Sequence, residues 1–274
     1  MTQVVDRVVV SLDAVSDAAA AIDTAARLAA RWQVPLHGLF FEDAELIGVA
    51  SLPFACQVTL LGGREPLTQD HLEDHFRAFA QRARRELADA ARRLGVEWSF
   101  EVVRCPLTAA AFASDENEFV VAGAATRPFG DHLRIASPWW SLVATMTRPF
   151  LLAKRRWDTG GSVFALVRDR GPRSARLLEM AAQIASVSEA SLIVAPPSDL
   201  TDTKEFEAWV SGVLEEHPVR VQTEPAATEP ADFSRRIIEL DCRLLVLVAH
   251  PDEARSEILR ELLEPLACNV LIVQ

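Results

Sequence analysis

Slid along itself by 156 residues, the chain lines up with its own start, and Asp13 meets Asp169. RVVVSLDA then faces VFALVRDR and AARLAA at 25–30 faces AAQIAS at 181–186, while VPLHGLF faces EASLIVA one residue out of that step. A repeat this long, with its apolar positions in step, means two copies of one domain. Near the ends the likeness returns, TRPFLLA at 147–153 against CNVLIV at 268–273. With 274 residues, half of them hydrophobic, the chain has enough apolar surface for a full core.

Within each half, short apolar runs alternate with helical periodicity, the pattern of a parallel sheet covered by helices. Strands are predicted near 4–12, 36–41, 98–103, 119–123 and 149–153, then near 163–168, 191–195, 219–223, 244–249 and 269–273. The clearest helix is 71–94, where Leu72, Phe76, Phe79, Ala83, Leu87, Ala90 and Leu94 recur at three- and four-residue steps. Gly95 stands where a left-handed cap belongs. Further helices are expected near 17–31, 172–186, 203–216, 230–240 and 256–264, with Pro172 and Pro230 in first-turn positions. The domains are expected over 1–154 and 162–274, joined by a short surface linker at 155–161 that ends in Gly160-Gly161.

A net charge of -11 argues against nucleic acid or an anionic membrane surface as the main partner, because polyanions need a positive field. No apolar run reaches the roughly 18–20 residues that span a bilayer, and the N-terminus lacks signal-peptide features. A cytoplasmic location is expected. Cys56, Cys105, Cys242 and Cys268 are scattered, form no CxxC, and read as core thiols in a reducing compartment.

One stretch bears on function: VVAGAATRPFGDHLRIASPWW, residues 120–140. An apolar strand ends at Gly123, a loop containing Gly130 follows, and Ser137-Pro138 opens a helix. Five parallel strands per half, an acidic residue after the first and a glycine after the fourth resemble the universal stress protein family, and the likeness covers nearly the whole chain. Nucleotide-binding members carry GxxG, nine residues, then G(S/T) after the fourth strand. Counting from Gly123 here, Thr126 holds the second glycine position, Arg127 to Ile135 make the nine, and Ala136-Ser137 complete the motif. The spacing is intact and two glycines are replaced. The resemblance implies two doubly wound five-stranded α/β domains of strand order 3-2-1-4-5. They would form an intramolecular pseudo-dimer through the last strands, RPFLLAK against CNVLIVQ.

Glycines let backbone N–H groups close around phosphate at a helix N-terminus. Thr126 and Ala136 would follow that path at a strain of about 1 kcal/mol or more each, and Pro138 removes one donor. The resemblance also places Asp13 against an adenine, so Asp13, Gly123, Thr126, Gly130, Ala136 and Ser137 make up the candidate nucleotide site. In the second half Ala249 is counted where the first glycine would stand, no glycine follows, and Asp252 and Glu253 would repel phosphate. No nucleotide is expected there.

His71 and His75 are four apart on the long helix, but Leu72 stands where a zincin has its Glu and no third ligand is indicated. His132, in the loop, reads as an exposed histidine. The third strands end at Val103-Arg104 and Gln222-Thr223, without the Asp a phosphorelay receiver needs, so Lys154 reads as a linker lysine. There is no GxSxG elbow or P-loop, and no nucleophile with a paired base. The stretch 42–69 is long and apolar for a connection, and is expected to be either a lid or partner surface or a small packed element. The expected function is a non-catalytic stress-response module acting on a protein partner, with no nucleic acid, no membrane and homo-oligomerisation left open. The alternative is an ATP or AMP sensor, or slow ATPase, using Mg²⁺ in domain 1.

Overall fold

Runs of apolar residues with no polar alternation become strands covered on both faces. β6 (Glu118–Gly123), β7 (Phe150–Ala153) and β12 (Asn269–Val273) are buried at every residue. The computed structural model describes residues 5–14, 18–58, 63–105, 117–124, 148–157, 160–197, 202–224, 230–249, 263 and 266–273. The remaining strands are β1 (Arg7–Leu12), β2 (Leu36–Asp43), β3 (Cys56–Val58), β4 (Arg64–Pro66), β5 (Trp98–Cys105), β8 (Ser162–Leu166), β9 (Ser191–Ala195), β10 (Val221–Thr223) and β11 (Cys242–Val248). The helices are α1 (Ala18–Trp32), α2 (Ala44–Ala50), α3 (Gln69–Leu94), α4 (Pro172–Ser188), α5 (Thr203–Val213) and α6 (Pro230–Glu239). Of the helix expected at 256–264, all but Leu263 lies outside the described residues.

One ten-stranded sheet runs β10-β9-β8-β11-β12-β7-β6-β1-β2-β5. Counted within each half, that is 3-2-1-4-5 twice, the two fifth strands meeting in the middle. Neighbours within a half are parallel, whereas β12 and β7 are antiparallel. Leu151 faces Leu271, flanked by Leu152 opposite Val270 and Phe150 opposite Ile272, so a local two-fold passes through the leucine pair. The pairing covers two apolar strands that would otherwise be open edges.

Alternation along the strands builds the two faces of the core. On one face Val8, Val10, Leu12, Val163 and Ala165 pack against α1, α3, α4 and α5. On the other, Val9, Val120, Phe164, Leu245 and Leu247 lie with Phe233 and Ile237 of α6. Helix α3 begins at Thr68, whose side chain accepts from the His71 N–H, and ends at Gly95 with φ 68°. Its buried stripe is Leu72, Phe76, Ala80, Ala83, Leu87, Ala90 and Ala91. Phe79 and Leu94, expected on that stripe, are exposed: the small alanines at 80 and 91 let the helix sit closer to the sheet and rotate those larger side chains outward. The close seating also needs Gly38 on β2, where a Cβ would come within 2.7 Å of both Leu87 and Phe100. Gln33 and Glu189 end α1 and α4 in the left-handed region, at φ 57° and 53°.

At the opposite end of the strands from the sequence-predicted site, Glu118 is buried and clamped. Arg7 donates to its Oε1, with Nε at 2.8 Å, and the Arg148 guanidinium lies 3.7 Å from Oε2. No helix among the described residues is long and apolar enough to cross a membrane.

Candidate functional site

In an open parallel sheet the natural cleft lies beyond the carboxyl ends of the strands, where the winding reverses. In the first half that switch point is between β1 and β6, and Ser11 pairs with Ala122 there. Gly123 is therefore the last strand residue on one side and Asp13 the first beyond the strand on the other. Gly123 is buried and Asp13 half-buried. The Ala124 N–H donates to the Ala153 carbonyl at 3.0 Å, fixing where the chain leaves the sheet. The structure brings Asp13 and Gly123 to the adjoining carboxyl ends of β1 and β6; Thr126, Gly130, Ala136, Ser137 and the loop residue His132 lie outside the described residues.

The second half corrects the gapless alignment. The two-fold that relates Leu151 to Leu271 carries Val121 onto Val246 and Val10 onto Ala165, through the pairings Leu151–Val121–Val10 and Leu271–Val246–Ala165. Val248, rather than Ala249, then stands in the place of Gly123, and Arg168 rather than Asp169 in the place of Asp13. The hydrogen bonds agree: Ala249 N–H donates to Val273 O at 3.1 Å, the counterpart of Ala124 on Ala153. Asp169 has local work. Its Oδ1 accepts from the Gly171 N–H at 2.7 Å and the Ser174 hydroxyl at 2.9 Å, bracing the turn that leads into α4. Those two bonds, with the guanidinium groups of Arg168 and Arg173 nearby, hold its carboxyl below the usual range. The residue in the place of Gly123 is therefore a valine, not the alanine counted from the sequence.

The stretch 42–69 is an organised element rather than a loop. β2 runs on through Asp43, whose carboxylate caps α2 by accepting from the N–H groups of Glu45 and Leu46 at 2.9 and 3.2 Å. An antiparallel β3–β4 hairpin follows before α3 begins. Its base is pinned by Arg104 at the end of β5, whose guanidinium lies 2.9 Å from Glu42 and 3.1 Å from Glu73. The outer surface is apolar: Phe54 is 77% exposed, and Val49 and Leu52 are exposed with it.

The remaining candidates separate here. His71 and His75 are both exposed on α3, and among the described residues no group of three or more His, Cys, Asp or Glu is poised to hold a metal. Cys56 is exposed rather than a core thiol, because its strand belongs to the peripheral hairpin; Cys105 is half-buried and Cys242 and Cys268 are buried. Lys154 is more than a linker lysine. Its ammonium donates to the carbonyls of Leu263 and Leu266, the latter at 2.9 Å, tying the end of β7 to the turn before β12. Asn269 reciprocates, its Oδ1 accepting from the N–H groups of Lys154 and Arg155 at 2.9 and 3.1 Å. Nearby, Trp157 is buried within the predicted surface linker, and a small cleft lined by Arg155, Arg156, Arg243 and Asn269 opens at the amino ends of the second-half strands. That cleft is distant from either switch point. Sequence reasoning misses this junction, since Lys-Arg-Arg before Gly-Gly has the composition of a solvated connection.

No protein-family model and no curated protein sequence matches the chain. Solved structures do. A universal stress protein from Archaeoglobus fulgidus superposes with a TM-score of 0.65 at 13% identity, over 97% of this chain and 96% of that one. A Pseudomonas aeruginosa protein assigned to the universal stress proteins gives 0.60 at 17% identity, over 99% and 94%. A second Pseudomonas aeruginosa protein, of unknown function, gives 0.60 at 16% over 99% and 93%. At such identities the likeness is one of architecture, and the fold of this chain is the fold of the universal stress proteins.

Proposed function

We propose that the chain is a non-catalytic stress-response module that works by binding another protein, its nucleotide loops degenerate in both halves. The observation that supports this most is the apolar element rising from the carboxyl end of β2. An exposed Phe54 beside Val49 and Leu52 is surface a monomer gains nothing by presenting to water. The sequence motif adds to it: Thr126 and Ala136 replace two of its glycines in the first half, and Val248 stands in the second half in the place of Gly123. A photo-reactive amino acid in place of Phe54 is expected to give one discrete cross-linked species in cells. The same substitution at exposed Glu207, on α5, is expected to give none. Equal labelling from both positions rejects the partner surface, and a product of twice the chain mass makes the partner a second copy.

Asp13 beside Gly123 favours one other reading, an adenine-nucleotide sensor in the first half. Calorimetric titration with ATP and Mg²⁺, then AMP, with tryptophan fluorescence in parallel, separates the two. Absence of heat and of fluorescence change up to millimolar nucleotide is expected for degenerate loops. Micromolar binding at one site per chain, abolished by Asp13→Ala, replaces the proposal with the sensor.

A further inference from the structure

Strict alternation along a strand keeps Cys242 and Cys268 apart, as two separate core thiols. Along β11, Leu244 and Val246 face one side of the sheet, Leu245 and Leu247 the other. By that alternation Cys242 belongs with Leu244. A β-bulge intervenes: Cys242 pairs with Ser162 and Leu244 with Val163, the next residue along, so Arg243 is extra. The inserted residue turns Cys242 onto the face of Leu245 and Leu247. Cys268, one residue before β12, lies on that face with Val270 and Ile272. β11 and β12 are hydrogen-bonded neighbours whose register starts at Leu244 opposite Asn269. The two thiols are close enough for each to shift the other's titration.

We infer that Cys242 and Cys268 are a redox-active pair that closes to a disulfide on exposure to a hydroperoxide, stapling the starts of β11 and β12 beside the junction of the two halves. The inference stands apart from the proposed partner surface. Carried back one residue, the β11–β12 register sets Arg243 opposite Cys268 and Cys242 one step along. Strands about 4.8 Å apart with a rise of about 3.3 Å per residue put the two Cα atoms about 5.8 Å apart, inside the roughly 4.4–6.8 Å that a disulfide spans. Each thiol is one residue from an exposed position, Asp241 or Ala267, so a small oxidant has a short path in. The roles are unequal. The neighbouring Cys242 and the Lys154 ammonium hold the Cys268 thiol below its ordinary value, while Cys268 and burial push Cys242 up.

Cys268 thiolate therefore attacks hydrogen peroxide, breaking the O–O bond to give a sulfenic acid and hydroxide, which is protonated to water. The Cys242 sulfur then attacks the Cys268 sulfur. The S–S bond forms, the S–O bond breaks, and the departing hydroxide takes the Cys242 proton as a second water. Two thiols lose two electrons and the peroxide gains them; an external dithiol reverses the link by exchange.

Trypsin places the cysteines in separate peptides, IIELDCR at 237–243 and ELLEPLACNVLIVQ at 261–274 carrying this pair. Full-length protein treated with hydrogen peroxide, alkylated and digested is expected to yield these two joined, about 2 Da lighter than the free peptides together and separated by dithiothreitol. Cys242→Ser or Cys268→Ser is expected to abolish the joined species, and Cys56→Ser with Cys105→Ser to leave it intact. If a serine variant fails to fold, the wild-type map decides alone. Recovery of both peptides as free alkylated thiols, of Cys268 as sulfinic or sulfonic acid without a link, or of a link to Cys56 or Cys105 instead, overturns the inference.

Discussion

Replacing Asn269 with alanine tests the junction between the halves. The side chain is 2% exposed, and its Oδ1 accepts from two backbone N–H groups contributed by Lys154 and Arg155. Alanine removes both bonds at once from two half-buried donors. An unsatisfied buried donor costs about 1–3 kcal/mol. Two donors that water can partly reach put the expected loss at about 2–4 kcal/mol. Asn269→Asp keeps an acceptor oxygen for both N–H groups, so it should lose less than half as much. Urea unfolding at about 25 °C, followed by tryptophan fluorescence, measures both variants, and the slopes show whether the comparison is between like transitions. A loss below about 0.5 kcal/mol for alanine, the range of ordinary surface substitutions, would refute the reasoning, as would aspartate proving no better than alanine.

Glu118→Ala removes the buried carboxylate that Arg7 and Arg148 face; because the Arg7 guanidinium can reach water, the cost in the same unfolding assay should be about 1–3 kcal/mol. Glu118→Gln, which keeps an acceptor for Arg7, should cost less. His37 is held below the ordinary histidine value of 6.5 by burial first and by Arg7 next, against the opposing pull of Glu101 and Glu118. The unfolded chain therefore binds the extra proton more readily. Stability should be fully present above pH about 6.5 and decline as pH falls through the folded value, and His37→Gln should flatten that slope in unfolding curves taken across pH. Glu189 and Gln33 carry side chains at left-handed helix ends, so glycine at either should raise the unfolding free energy by about 1 kcal/mol. No gain at both positions would show that these backbones are not strained.

Elements whose period is unbroken are legible in the sequence. β9 and β12 fall on their expected residues, and α3 differs from expectation by two residues at its start. Periodicity also suffices for the sheet order once the resemblance supplies the winding. What a linear reading cannot supply is register. Identity matches Asp13 to Asp169, yet the ladders align Asp13 with Arg168, because an Asp that starts a helix turn is common wherever a strand hands over to one. The bulge at Arg243 is equally invisible: it changes the face of Cys242 without changing its neighbours. Cys56 departs from expectation because apolar flanks signal burial only if their segment reaches the core, and the β3–β4 hairpin does not. Of the candidate site residues only Asp13 and Gly123 are described, and they adjoin because two parallel strands end together.

The two-fold through Leu151 and Leu271 has a further consequence for binding. A homodimer built on such an axis presents two identical clefts, and every substitution enters both. Joined in one chain, the clefts are free to differ, and they do: valine at 248 leaves glycine at 123 untouched. Were a ligand to bind beside Gly123, the altered second half would make it one per chain. Its saturation curve should have a Hill coefficient of about 1, and any steeper curve would report contact between chains rather than between halves.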